Sequence, residues 1–404
     1  MNRVGCCPVD TSTATQKLQT LRALMTGHTN RLDEQKILEL FERASAVELN
    51  HLITNINVDA LLSDVDNRVV GPDNLTALLE LLCIRRVQEL GLAVRAGLMF
   101  GLQRGITPTL AERMIRALFL SVRGRELTEF KNLLDGRGSY HDLQQLVFSD
   151  VDDPALRQDI LEHIRREAAT APSGENKVLS DIDDTFLLNW KDTRYPPKTV
   201  YPGVLQFYRE LDRGPGIIPG REGDLTFVSA RPQDPLGLIE DRTLAALREH
   251  GVPTASMLSG AFTHLIGNAR IAEKKFDNFR RFSQLFPEYG FVFVGDSGQG
   301  DVAFGEQMLA FAPDSVRAVF IHDVVATPEA VRQAWRAKSI FFFDTYVGAA
   351  LEAYQVGVIA RDGLHRVARS AQEELEKVPF GSAEQRDARR ADLSRDLKRL
   401  EALS

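Results

Sequence analysis

"VLSDIDDT", residues 178–185, ends an apolar run in three aspartates and a threonine, and two near copies lie upstream: "VFSDVDDP" at 147–154 and "SDVD" at 63–66. In the copy at 147–154, Asp152 and Asp153 precede Pro154, and "ALRQDILEHIRREA" follows. Proline is favoured at the first helical position and aspartate just before it, near the positive end of the helix dipole. That copy reads as a helix start. Asp64 and Asp66, at the matching point of the first copy, take the same structural role, since "DVDNRVVGPDN" lacks the ligands and the glycine register of a calcium loop. The copy at 178–185 ends in Thr185 instead, runs on into "FLL", and opens a different pattern.

From residue 176 onward, short apolar runs alternate with amphipathic stretches. The runs are "KVLSDID", "DLTFVSA", "TASMLSG", "GFVFVGD" and "VRAVFIHD"; the stretches cover 201–213, 235–250, 273–286 and 301–311. Strands alternating with helices predict a parallel sheet covered on both faces, and runs without polar alternation are what doubly buried strands require. In an open sheet of this kind, ligands bind outside the carboxyl ends of the strands. Asp181 and Asp183 leave the first strand there, and carboxylates at i and i+2 can both face the crevice. Ser229 ends the second strand in "TFVSARP", with Arg231 close behind. Lys274 and Lys275 sit at a helix start, and Asp296 and Asp301 bracket the glycine-rich "GDSGQGD". Taken singly, Ser229 reads as a turn residue, Lys275 as a solvated helix residue and "GDSGQGD" as a surface turn. Their order after an Asp-x-Asp-x-Thr sets them apart.

Residues 1–170 read as helical. "EQKILELFERASAVELNHLI" places Ile37, Leu38, Leu40, Phe41, Leu49, Leu52 and Ile53 at helical spacing. A weak internal repeat relates "KILELFERASAVEL" (36–49) to "MIRALFLSVRGREL" (114–127), the second copy carrying the longer loop "LDGRGSYHD". An apolar helix over 75–100 is expected to join the copies; Arg85, Arg86, Glu89 and Arg95 leave it too charged to span a bilayer. "ATAPSGENK" (169–177) reads as a linker. "AEQRDARRADLSRDLKRLEAL" reads as a solvated terminal helix that packs through Leu393, Leu397 and Leu400. The expected domains are an all-α domain over 1–170, an α/β domain over 171–345, and C-terminal helices over 346–404.

The 404-residue chain is 44% hydrophobic and 26% charged, the profile of a soluble globular protein, and its net charge of -7 argues against a dedicated nucleic-acid binder. Cys6, Cys7 and Cys83 are too few and wrongly spaced for a disulfide framework or a zinc site. "MNRVGCCPVD" has no apolar segment of the signal-peptide kind, so a cytoplasmic location is the expectation.

The order Asp-x-Asp-x-Thr, Ser, Lys, Asp…Asp resembles the haloacid dehalogenase-like phosphatase superfamily over 176–325. "SDIDDT", "YPGV" (201–204), "LFPEYGFVFVGDSGQGD" (285–301) and "FFFDTYVGAALEAYQVGVI" (341–359) look more closely like the actin-patch-associated phosphatidate phosphatase catalytic domain, a relative of the lipins. Residues 1–170 lie outside this resemblance. It implies a Rossmann-like, haloacid dehalogenase-type parallel sheet. Little or no cap is expected, because the segments between Thr185 and Leu225 and between Ala230 and Lys275 are largely used up by core elements and loops.

The resemblance also implies a Mg2+-dependent phosphatase. Asp181 would form an aspartyl-phosphate, and Asp183 would protonate the leaving alcohol and then activate water. Ser229 and Lys275 would bind phosphoryl oxygens, with Thr185 bracing the loop and Arg231 reaching phosphate or headgroup. Asp181, the backbone carbonyl of Asp183, Asp296 and Asp301 would hold Mg2+. Lys274 and Lys275 point about 100° apart on a helix, and the family spacing favours Lys275. An open site suits a lipid phosphate such as phosphatidate, met peripherally at a membrane surface; the alternative is a phosphoprotein or other bulky phosphomonoester. A third reading makes residues 1–170 a binding or delivery module for a protein partner. "SGAFTHLIGNARIAEKK", before the lysine, departs from the family's glycine- and proline-rich pattern, which bears on the substrate more than on the chemistry.

Overall fold

A computed structural model describes residues 11–27, 29–65, 73–103, 107–135, 143–189, 191–216, 225–232, 245, 247–252, 256–260 and 268–403. The chain forms two compact units, residues 1–134 with 143–167, and residues 135–142 with 168–404.

The first unit is helical. Its helices are α1 (Thr11–Leu24), α2 (Arg31–Arg43), α3 (Ala46–Thr54), α4 (Val58–Asp64), α5 (Asn74–Glu80), α6 (Leu92–Leu102), α7 (Thr109–Leu120), α8 (Gly124–Asp135), the short α9 (Leu143–Gln145) and α10 (Pro154–Thr170). The repeat is carried by more than apolar spacing. Ile37 and Phe41 of α2 are buried, as are Ile115 and Phe119 of α7. Two residues before each repeat stands a buried glutamate that anchors a later helix start. Glu34 accepts from Asn74 Nδ2 at 2.7 Å, and Glu112 accepts the Asp153 N–H at 2.9 Å.

The two upstream acidic copies are structural, but not in identical ways. Asp153 Oδ1 accepts the N–H groups of Ala155 (2.8 Å) and Leu156 (3.4 Å), so it caps α10, whose first residue is Pro154. Asp64 corrects the expectation: it is the last residue of α4, and Val65 leaves extended at φ -83, ψ 95. Asp150 likewise closes a π-turn over Leu146–Asp150, and Val151 leaves at φ -88, ψ 95. The copies therefore share a helix ending. The second adds a helix start at Pro154; Arg68, at the matching position of the first, lies outside the described residues. Asp66 lies outside the described residues. Asp153→Ala should lower stability by about 1 kcal/mol, the usual cost of a lost N-cap, with turnover unchanged. Urea denaturation beside an activity assay checks both parts.

The single helix expected over 75–100 is broken. After α5 come a π-turn (Leu81–Arg85) and a 3-10 turn (Val87–Glu89), and α6 begins after Gly91. Long-range bonds hold the break open. Asn50 donates to the Glu89 carbonyl and accepts the Gly91 N–H, both at 2.7 Å, and Arg86 donates to the Phe41 carbonyl at 2.6 Å. Cys83, in the π-turn, is a buried free thiol whose pKa burial pushes up to about 12. Cys6 and Cys7 lie outside the described residues.

The second unit is built on a six-stranded, all-parallel sheet in the order β3-β2-β1-β4-β5-β6. The strands are β1 (Asn176–Ser180), β2 (Leu225–Pro232), β3 (Ser256–Gly260), β4 (Gly290–Asp296), β5 (Val316–His322) and β6 (Ile340–Phe343). The five apolar runs correspond to β1–β5; β6 is a four-residue edge strand outside those runs. The helices are α11 (Val204–Arg213), α12 (Asn268–Leu285), α13 (Asp301–Phe311), α14 (Glu329–Arg336), α15 (Tyr346–Gln355), α16 (Arg361–Leu375) and α17 (Ala383–Glu401). The helix expected over 235–250 falls largely outside the described residues, as does much of the segment between Ala230 and Lys275 expected to lack a cap.

Every residue of β1 and β4 is buried, and alternate side chains pack on opposite faces. On one face Val178, Val292, Val294 and Phe320 join Phe207 of α11 and Tyr346 of α15 in one core, which the C-terminal helices complete through buried Leu393 and Leu400, with Leu397 packed partly against it. On the other, Phe291 meets Phe279 of α12 (centroids 5.3 Å apart) and Phe293 meets Phe304 of α13 (4.8 Å). β1 lies between β2 and β4, so the chain builds outward to one side, then crosses back to the other. This switch point lies between the carboxyl ends of β1 and β4, where an α/β sheet opens its ligand crevice.

Candidate active site

Asp181 follows β1 directly and stays tied to it, its N–H donating to the Val294 carbonyl of β4 at 2.9 Å. The next residues close one tight turn, the N–H groups of Phe186 and Leu187 both reaching the Ile182 carbonyl at 3.0 Å. Asp184 is left-handed at φ 56. Its carboxylate accepts the N–H groups of Asn189 (3.0 Å) and Lys191 (2.6 Å), pinning the far side of the loop. Adjacent aspartates thus separate in role: Asp184 is fully buried and braces the loop, whereas half-buried Asp183 accepts from Asn189 Nδ2 at 2.9 Å.

Lys275, on α12, buries its ammonium between two carboxylates, 2.8 Å from Asp181 Oδ1 and 2.6 Å from Asp301 Oδ1. Lys274 is only half-buried, so the structure brings Lys275 to the acidic group. Asp296 ends β4, and Asp301, the first residue of α13, turns back so that its Oδ2 accepts the Asp296 N–H at 3.2 Å. Gly295 makes this possible. A Cβ there would stand 2.6 Å from Asp301 Oδ2.

Oxygens from Asp181, Asp296 and Asp301 all lie within 4.8 Å of one another. Burial pushes Asp181 up to about 7 against the pull of Lys275, and pushes Asp296 up to about 9, helped by the charges of Asp301 and Asp181. Burial would lower the Lys275 pKa, but the two carboxylates more than offset it, so the lysine stays charged. One ammonium faces three buried carboxyl groups, and the Asp296 Oδ2 has no hydrogen-bond partner among the described residues. Among the described residues, this all-oxygen donor set is short of positive charge and has one oxygen unpartnered, which fits a hard divalent cation such as Mg2+.

Of the other residues singled out in the sequence, Thr185 is fully buried. Its Oγ1 has no partner among the described residues, while its carbonyl accepts from the Tyr346 hydroxyl at 2.6 Å. The Asp183 carboxylate stands outside the three-carboxylate cluster. Ser229 and Arg231 lie on β2; their side chains are outside the described residues. The sequence reading missed Asp184 as a brace and Asn189 as the partner of Asp183. The doubled aspartate was the available signal for the first; nothing local marks the second.

An open parallel sheet with buried acids and a lysine converging at its switch point defines the class as the phosphoric monoester hydrolases, once the comparison with known families is joined to it. Residues 176–323 match the family described as "Phosphatidate phosphatase APP1, catalytic domain". No curated protein and no solved structure matches the chain.

Proposed function

We propose that this protein is a Mg2+-dependent phosphatidate phosphatase of the haloacid dehalogenase type, working through an aspartyl-phosphate on Asp181. The observation that carries the reading is the Asp181–Lys275–Asp301 contact beside Asp296, at the switch point of a domain whose family is named for this activity. The tight turn after β1, with isolated bridges from Leu187 to Asp183 and Val200, supports the fold type. The metal, when bound by Asp181, Asp296, Asp301 and the Asp183 carbonyl, would neutralise phosphoryl oxygens and favour the ionised form of Asp181.

Asp181 supplies the electron pair that forms the new O–P bond as the bond to the leaving alcohol breaks. Asp183 gives its proton to that alcohol oxygen, then takes one from the water that attacks phosphorus, releasing phosphate and restoring Asp181. Lys275, Ser229 and the Thr185 hydroxyl would contact phosphoryl oxygens, where charge accumulates in the transition state. Arg231 would meet phosphate or headgroup. Among the described residues no helix is long and apolar enough to cross a membrane; the encounter with lipid is proposed as peripheral, from the cytoplasmic side.

A substrate screen with Mg2+ tests the reading. Phosphatidate in mixed micelles should be turned over faster than soluble phosphomonoesters and phosphopeptides, and EDTA should abolish the activity. A preference for phosphopeptides would replace the lipid assignment; no hydrolysis of any of them would refute the function. The buried carboxyls must lose protons to become ligands, so Mg2+ affinity should rise between about pH 6 and about pH 9, with proton release. Titration calorimetry in two buffers of different ionisation heat reads this directly, and a pH-independent affinity would contradict it.

A further inference from the structure

We propose that His322 is a positioning residue for the proton-transfer step: its Nδ1–H holds the backbone carbonyl of Asp184 and, through Asn189, sets the direction in which the turn presents Asp183. The inference rests on the reading of Asp183 as the acid and base.

Asp184 is a non-glycine residue at φ 56, a conformation that costs about 1 kcal/mol and persists only where its surroundings over-determine it. Its surroundings hold it at several points, its own N–H donating to the Leu187 carbonyl at 2.8 Å. Its carboxylate takes the N–H groups of Asn189 and Lys191, its carbonyl takes His322 Nδ1 at 2.8 Å, and the next carbonyl, of Thr185, takes the Tyr346 hydroxyl. Asn189, placed by Asp184, is the residue whose side-chain amide donates to Asp183 Oδ1. A continuous chain of hydrogen bonds thus runs from His322 through Asp184 and Asn189 to Asp183.

The imidazole is built for one task. It ends β5, in register with Asp296 on β4, so the strand pairing that carries the acid cluster also sets its height. Its ring lies against Tyr201 (centroids 4.4 Å apart, edge-on) and stacks with Phe343 (5.3 Å). Arg194 Nη2 stands 2.9 Å from Nε2, and a guanidinium can only donate, so Nε2 accepts and the proton resides on Nδ1. Arg194 is itself fixed by two 2.9 Å bonds to Asp192, which also accepts from the Tyr201 hydroxyl at 3.0 Å. Burial, and then the Arg194 charge, push the His322 pKa down to about 4, consistent with a neutral ring that donates from one fixed nitrogen.

Two substitutions in the full chain separate this role from simple packing. His322→Asn keeps an amide donor near the Nδ1 position; His322→Gln carries its amide out toward Nε2 and withdraws the donor that His322 gives the Asp184 carbonyl. With para-nitrophenyl phosphate and Mg2+, the Gln variant should lose about 10- to 100-fold in kcat at nearly unchanged KM, while the Asn variant stays within about threefold of wild type. Wild-type kcat in the Gln variant, or equal losses in both that track a lowered unfolding temperature, would overturn the proposal. A measurement on the wild-type protein does not depend on the variants folding. Nitrogen-15 spectra of labelled histidine at neutral pH should show His322 as the neutral Nδ1–H tautomer, and an Nε2–H tautomer or an imidazolium would equally overturn it. Asp181→Asn assayed alongside keeps the two readings apart, since an active Asp181→Asn protein removes the proposed function and leaves the tautomer result standing.

Discussion

Asp181→Asn should fold, bind substrate and hydrolyse no phosphomonoester, with kcat reduced on the order of 10⁴-fold or more, as for loss of other catalytic nucleophiles. The amide is isosteric with the carboxylate, so Lys275 keeps Asp301 and retains an oxygen at the Asp181 position. What disappears is the electron pair that attacks phosphorus. The effect on stability should run the other way. Burial raises the Asp181 pKa to about 7, so the folded state prefers this group protonated. Stability tied to a raised carboxyl pKa is present at low pH and lost as pH rises through the folded value. At pH 8 the neutral amide removes that loss, and the metal-free variant should melt at or above the wild-type temperature. Kinetics with para-nitrophenyl phosphate and thermal unfolding at pH 8 test the two halves together. Near-full activity would end the nucleophile assignment, and a large fall in melting temperature would show that the ionised carboxylate supports the fold.

Lys275→Met should be the most damaging change to the site as a whole. It removes the ammonium at 2.8 Å and 2.6 Å from two carboxylates and leaves Asp181, Asp296 and Asp301 buried together. Breaking a buried ion pair from one side typically costs about 3–5 kcal/mol, because the charge left behind has no compensation. Here the carboxyl groups can escape by taking up protons, so the loss should be small near pH 5 and grow toward pH 8. The variant's melting temperature should fall more steeply with pH than that of wild type, and added Mg2+ should recover part of it. Activity should drop about 10²- to 10³-fold, the scale seen when one donor to the developing charge is removed. A melting profile parallel to wild type across this range would show that Lys275 does not hold the carboxylates in their ionised form.

Much of the second unit was legible because its signals are local. Continuous apolar runs mark β1 to β5, since a strand covered on both faces needs no polar alternation. In the first unit, Pro154 and Asp153 likewise mark the start of α10 within three residues of sequence. β6 escaped because four residues give too short a run to read. The break between α5 and α6 escaped because Asn50 and Arg86 impose it through bonds to distant backbone, against an apolar composition that reads as helix.

In the site, the sequence alone supplied the inventory: acids after the first strand, a lysine pair, two more acids flanking a glycine-rich turn. The lysines were expected at a helix start; α12 begins at Asn268, so they stand six and seven residues into it. Which of them meet was decided by the fold. Lys275 reaches Asp181 across 94 residues of chain and His322 reaches the Asp184 carbonyl across 138. Such contacts follow from strand order and register, and no window of neighbouring residues contains them. The same holds for Asp183 and Asp184, side by side in "SDIDDT". Asp184, left-handed at φ 56, turns its carboxylate inward to brace the loop, while Asp183 stays half-buried. Propensity and turn chemistry act over a few residues and can be read along the chain. The pairing of buried charges depends on which strand ends stand together, and only the assembled sheet determines that.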